Sequence, residues 1–451
     1  MTREMVSRKA RAGATIKIGF LSLPLTGHLN PMTALARKLQ SRGNEVVFFG
    51  VPDIEPIVRA ANLAFVPYCE REYPIGSLAK TFDPVAHLQG LEVIRYTVEK
   101  IMPDLLESAF RHLPEKVVET GVQAMVIDAA HFLAQLVPMS LNMPFVQICN
   151  ALHRDPSGLT PPSWFSWPHE TTPEARARNS DGLKQVNGLL SGILPMARAH
   201  AEKLGLKVDW NDLSSTNSKL AVITQTPAEF DFPGIHWPAM FHYAGPFHDN
   251  AGREPMPFPW EKLTGQPLIY ASMGTLVNGL DHVYATILEA LSGFPEMQAV
   301  LSVGRNVSDL GPIPANTIVV STAPQIELLK RAALCITHAG LNTTLEALAQ
   351  GVPLVAIPIG YDQPGVAARI AYHGVGEFVE IGNLTATRLS ELIARVTTKP
   401  NYRDKADWFK GILAQTRGLD IAADIIERVF GQHERKRPML EALSDGQHQQ
   451  S

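Results

Sequence analysis

Residues Ile16 to Leu23 form a near-continuous apolar run that gives way directly to "PLTGHLNP" and then to Met32, Leu35, Ala36 and Leu39 at helical spacing. A strand that is apolar on both sides has to be covered on both faces, which is the situation of a parallel sheet with helices packed against each side. Asn30 and Pro31 suit the cap and first position of the helix, and His28 then falls in a tight turn ahead of it. The helix closes at Gly43 and "NEVVFFG" begins a second strand, so the chain opens on a βαβ unit.

That rhythm runs twice. Strand-like segments recur at 63–67, 124–128, 144–149 and 220–226, and one doubly wound domain over 1–245 accounts for them. Residues 246–266 are rich in proline and polar side chains and read as a linker. Strands then return at 268–274, 297–304, 317–322, 333–338 and 353–358, with a helix over 281–291, implying a second parallel-sheet domain over 267–419. Residues 420–431 read as a last helix packing back on the first domain, and 432–451 as a flexible tail. A length of 451 residues suits two cores rather than one.

Bulk properties remove several classes of partner. A net charge of -4 leaves no basic footprint for nucleic acid. Cys69, Cys149 and Cys335 lie far apart with no metal-ligand spacing, which fits a reducing cytoplasm. No apolar run is long enough for an integral membrane segment, and the basic first fifteen residues lack the apolar core of a signal peptide, so a cytoplasmic location is expected.

Thr322 to Gly365 carries the densest chemistry. A strand ends at His338, Gly340 lets the chain turn, and Asn342 and Thr343 lead a helix whose free N–H groups and dipole favour a phosphate. Asn342 and Glu346 are four apart on one helix face, where a carboxylate can accept from a ribose diol. Asp362 and Gln363 follow the next strand, at the sheet edge where open α/β sheets bind ligands. Strand, glycine turn and capped helix are also ordinary α/β punctuation, so position alone does not decide the point.

The residue choice over this stretch resembles the inverting nucleotide-sugar glycosyltransferases of the UDP-glycosyltransferase family, glycosyltransferase family 1 type. The likeness extends from "GHLNP" through "HYAGPF" and "YASMGT" to "GVPLVAIPIGYDQPGVAARI". It implies the GT-B fold, two Rossmann-like doubly wound parallel-sheet domains facing across a cleft. In the donor domain the run from "THAGLN" looks most like bacterial zeaxanthin-glucosyltransferase-type proteins. By that resemblance Ala323 belongs to the donor signature and Gln325 meets the nucleoside. His338, Gly340, Asn342 and Thr343 meet the diphosphate, Glu346 the ribose, and Asp362 with Gln363 the sugar. Ser272, Gly274 and Thr275 form a second diphosphate contact. No cofactor or metal is implied; the co-substrate is a UDP-sugar, with UDP-glucose favoured by Gln363. Thr322 replaces the usual base-stacking tryptophan and Leu341 a second one, which leaves UDP and TDP donors both open.

An acceptor hydroxyl needs a base to become a nucleophile, and histidine titrates in the right range. In the resembling enzymes the histidine of "GHLNP" is that base, here His28, and an aspartate placed like Asp128 pairs with it. On residues alone His28 also serves as a packing residue and Asp128 as a loop cap, and His131 is a weaker alternative partner. Trp164, Phe165 and Trp167, among prolines, form either an apolar acceptor wall or a cover over the core. The expectation is an inverting hexosyltransferase acting on a small lipophilic acceptor such as a carotenoid, phenol, sterol or polyketide. A sugar-nucleotide epimerase on the same scaffold, or a non-catalytic nucleotide-sugar binder, is the rival.

Overall fold

The computed structural model describes residues 15–249, 256–304 and 310–448. The first sheet holds seven parallel strands: β1 (Lys17–Leu21), β2 (Glu45–Gly50), β3 (Ala64–Pro67), β4 (Ala124–Asp128), β5 (Phe145–Cys149), β6 (Val222–Thr224) and β7 (Phe241–Tyr243). Their order is β3-β2-β1-β4-β5-β6-β7. The second sheet holds β8 (Leu268–Ser272), β9 (Gln298–Ser302), β10 (Thr317–Val320), β11 (Ala332–Thr337), β12 (Leu354–Ala356) and β13 (Gly376–Phe378), in the order β10-β9-β8-β11-β12-β13. Both have the Rossmann arrangement, with order reversing between β1 and β4 and between β8 and β11.

Burial explains the apolar runs. In β1 only Lys17 escapes full burial, because β2 and β4 flank it and helices cover both faces. Helix α1 (Thr26–Ser41) turns Met32, Leu35 and Leu39 into the core, each at 0% exposure, and burial of one such side chain contributes about 1.5–3 kcal/mol.

The start of α1 differs from the sequence expectation. The helix begins at Thr26, so His28 lies in its first turn and Pro31 lies inside it. Pro31 has no N–H to give the carbonyl four residues back, so the Gly27 oxygen is left without a helical partner. That oxygen is used elsewhere: Asn342 Nδ2 donates to it at 2.6 Å from the second domain.

Other differences lie at edges. The three-residue edge strands β7 and β13 are too short to show periodicity. The last helix, α7 (Gly418–His448), is longer than 420–431 and continues through residues expected as a flexible tail. It does lie on α1, where Asp420 meets Lys38 at 2.6 Å and Arg42 at 2.7 Å, and Glu427 meets Arg42 at 3.1 Å. Of the expected linker, 250–255 lie outside the described residues, as do 1–14 and 449–451.

The helices between, α2 (Met102–Glu119), α3 (Pro173–Leu190), α4 (Asp281–Leu291), α5 (Leu341–Ala349) and α6 (Gln363–Tyr372), cover the sheets. The domains meet through specific bonds: Gly365 N donates to Ser163 O at 2.8 Å, and Gly279 N to Ala86 O at 2.9 Å. A buried charge cluster lies at the same junction. Arg369 of α6 donates to Asp231 Oδ1 at 2.7 Å, while the other oxygen of Asp231 accepts from Tyr243 and meets His153 Nε2 at 2.7 Å. Asp231 is thereby held far below the usual carboxylate range: burial acts against ionisation, but His153 and Arg369 outweigh it.

Candidate active site

One cavity of ≈ 1500 Å³ runs along the domain junction. Its centre is built from the carboxyl ends of the strands at the two reversal points. β1 leads to His28, β4 ends on Asp128, β8 ends on Ser272, and β11 leads to His338. This is why four residues distant in sequence converge there.

His28 Nδ1 lies 2.7 Å from Asp128 Oδ2. Asp128 is fully buried, and its oxygens also accept from Leu23 N at 3.3 Å and Ala130 N at 3.1 Å. Burial alone would lower the His28 imidazole, but the neighbouring Asp128 carboxylate outweighs it and holds His28 above its ordinary value. Burial would likewise raise Asp128, yet His28 and the two backbone N–H groups keep it low. The carboxylate fixes Nδ1 as the protonated nitrogen and leaves Nε2 free to accept a proton. His131 takes no part: it is buried away from the cavity lining, both ring nitrogens lack partners, and burial pushes it down to about 4.

Opposite, α5 points its N-terminus into the cavity. Left-handed backbone falls at Ala339 (φ 65°) and not at Gly340, whose φ is −61°. Gly340 is needed for a different reason than turning: a Cβ there would lie 2.6 Å from the His338 ring, and one at Gly274 (φ 78°) 2.8 Å from it. His338 is thus clamped between two glycines, its Nδ1 is buried without a partner, and burial lowers it to about 4, leaving it neutral.

The remaining expected donor residues are already engaged. Gln325 Nε2 donates to Glu346 Oε2 at 2.6 Å and to Thr343 Oγ1 at 3.3 Å. Asn342 bridges Gly27 O and Gln225 Nε2, the latter at 2.8 Å. Asp362 accepts from Leu152 N at 2.8 Å, and Gln363 Oε1 accepts from Ile359 N at 2.8 Å. Ser272, Gly274, Thr275 and Leu341 line the cavity, whereas Ala323 packs against the second core cluster. Among the described residues no group of three or more His, Cys, Asp or Glu is placed to hold a metal ion.

The family model described as UDP-glucoronosyl and UDP-glucosyl transferase matches residues 183–438, more than half of the chain. The chain belongs to this family. Zeaxanthin glucosyltransferase of Pantoea ananas is 28% identical over 410 residues, covering 90% of this chain and 94% of that protein. Demethyllactenocin mycarosyltransferase of Streptomyces fradiae is 27% identical over 419 residues, with 91% and 86% covered. The fold matches the glycotransferase of kitacinnamycin at a TM-score of 0.68 and 23% identity, covering 92% of this chain and 99% of that one. It matches a calicheamicin glycosyltransferase at 0.67 and 19% identity, covering 93% and 99%. This glycosyltransferase therefore has the GT-B fold, and it moves sugars to small acceptors.

On the acceptor side of the glycosyltransferase the three aromatic residues part company. Phe165 and Trp167 stack on each other at 4.0 Å and pack on α3, where a Cβ at Gly182 would be 2.7 Å from Trp167. Neither lines the cavity, whereas Trp164 does and also packs against the main core cluster. Phe82, Ile94, Val98, Met102, Phe132 and Leu190 add apolar surface to the cavity lining. All but Phe132, which lies in the turn after β4, are helical, and nothing in a helical period says that its inner face borders a void. No helix among the described residues is long and apolar enough to cross a membrane.

Proposed function

We propose that this chain is an inverting hexosyltransferase that moves glucose from UDP-glucose to a hydroxyl of a small lipophilic acceptor in the cytoplasm, giving a β-glycoside. The observation that carries the reading is the 2.7 Å His28–Asp128 pair opening into the same cavity as the N-terminus of α5.

The acceptor oxygen attacks the anomeric carbon as its proton passes to His28 Nε2, and the bond from that carbon to the diphosphate oxygen breaks. Asp128 stabilises the imidazolium that forms. UDP leaves with the bonding electron pair, and its new charge falls at the dipole end of α5 beside Ser272, Thr275 and neutral His338. Glu346, held by Gln325, accepts from the ribose, and Asp362 and Gln363 face the sugar. One displacement inverts the anomeric centre, so an α-linked donor yields a β-glycoside.

The bonds Asn342 and Asp362 make across the cleft are ones that a donor sugar would exchange for its own. The missing tryptophan at Thr322 keeps a TDP-sugar within the test. That test incubates purified protein with UDP- and TDP-sugars and a pool of phenols, carotenoid diols, sterols and macrolides, and reads masses. A hexose-sized gain, absent from His28→Ala, supports the reading. Loss or rearrangement of the sugar without any acceptor product points to an epimerase, and donor binding alone to a binding protein.

A further inference from the structure

The cavity wall carries a cation that the transfer chemistry does not use. Arg154 follows β5 by five residues and lines the cavity together with Trp164. Its guanidinium stands 5.1 Å from the centre of the Trp164 ring, and one NH2 group donates to Asn187 Oδ1 of α3 at 2.8 Å. Ring and amide fix the orientation of the planar fork without satisfying it, since a guanidinium carries five N–H donors.

No carboxylate pairs with Arg154 among the described residues, and each acid on the cavity wall is engaged elsewhere. Asp155, next in sequence, turns into its own loop, where it accepts from Ser157 N at 2.8 Å, Thr160 N at 3.0 Å and Thr160 Oγ1 at 2.9 Å. Asp212 caps a turn through Ser214 N at 3.0 Å, and Asp249 meets Arg37 at 2.6 Å. Glu346 is held by Gln325 and Asp362 by Leu152 N. Arg154 keeps its solvent exposure at the cavity wall, and a guanidinium there is a cation at neutral pH.

We infer that Arg154 is a specificity-determining residue that receives a carboxylate on the acceptor, remote from the hydroxyl that takes the sugar. The preferred acceptor is then an apolar skeleton with a hydroxyl at one end, facing His28, and a carboxylate at the other. A planar carboxylate matches the fork in two parallel bonds, and the apolar lining of the same cavity suits the body between the two groups. The inference rests on the proposed transferase reading for the role of the hydroxyl, but the carboxylate subsite is tested by binding alone.

The experiment measures equilibrium binding by calorimetry, with UDP present, of hydroxylated acids and their methyl esters. The pairs are a hydroxycinnamic acid, a hydroxylated long-chain fatty acid and a hydroxylated terpenoid acid. At least one acid is expected to bind about tenfold or more tightly than its ester, the range for a hydrogen bond to a charged group. Arg154→Met removes that preference, so that acid and ester bind alike, while Arg154→Lys keeps a reduced preference. In a transfer assay the loss appears in KM for the acid and not in kcat. Equal binding of every acid and ester by the wild-type protein overturns the inference without need of a variant. So does an Arg154→Met protein, folded by its melting curve, that weakens acid and ester equally, because Arg154 would then only hold Trp164 in place. A failure of the transferase reading gives no glycoside product, yet leaves the acid preference measurable.

Discussion

Asn342 Nδ2 reaches across the cleft to the Gly27 carbonyl at 2.6 Å, and that carbonyl is available because Pro31 cannot bond to it. A proline inside the first helix of one domain thus creates the acceptor for a donor-site residue of the other. Asn342→Ala removes this tie together with the bond to Gln225, and UDP binding is expected to weaken about tenfold by calorimetry. Pro31→Ala offers the same carbonyl a helical N–H, and solution scattering should show a more open ligand-free molecule.

His28→Ala is expected to lower transfer by about 10²–10⁴-fold, the usual scale for losing a general base. UDP binding, which draws on the opposite wall, should persist. Rate measurements at saturating donor and UDP calorimetry on the same sample separate the two effects.

The pH profile follows from the Asp128 contact. A general base works unprotonated, and Asp128 holds the His28 pKa above 6.5, so the acid limb of kcat/KM should have its midpoint above that value. In Asp128→Asn the carboxylate is gone and burial remains, so the midpoint should move below 6.5. The rate should fall all the same, because the amide no longer fixes the tautomer or stabilises the imidazolium. A limb that stays in place would show that another group titrates.

Gly340→Ala introduces no backbone strain, since φ is −61°, but sets a methyl 2.6 Å from the His338 ring. The ring has to move, and on the proposed reading it takes a diphosphate contact with it. The Kd for UDP should rise several-fold while Tm changes little, as thermal unfolding with and without UDP would reveal.

Asp231→Asn strikes the buried junction. It leaves Arg369 and His153 facing an amide in place of a charge, and breaking a buried ion pair in this way costs about 3–5 kcal/mol. Chemical denaturation should detect a loss of that size, and restoring Asp231 beside Arg369→Lys should recover only part of it, because lysine cannot reproduce the fork.

Apolar runs made most of both sheets legible in the sequence, because a strand buried on both faces leaves an unbroken signal. The short edge strands at Phe241 and Gly376 leave none. Proline is usually a first-turn residue, so the sequence places the start of α1 at Pro31, and only the second domain explains why Pro31 belongs inside the helix. At Gly340 the sequence suggests a turn, where the need is space beside His338. Residues brought together by the fold alone were invisible: His153, Asp231 and Arg369 come from three distant segments, and the fixed orientation of Arg154 depends on Asn187 of α3. Trp164, Phe165 and Trp167 stand out in the sequence as aromatic residues among prolines, yet of the three only Trp164 borders the cavity, and most of its other apolar lining resembles any core.

The central claim, a single displacement driven by His28, is tested most directly by the anomeric configuration of the product. Transfer from α-linked UDP-glucose should give a glycoside whose anomeric proton shows the large coupling of a β-linkage by NMR, and that signal should vanish with His28→Ala. An α-glycoside, or undiminished β-glycoside from the variant, would contradict the account.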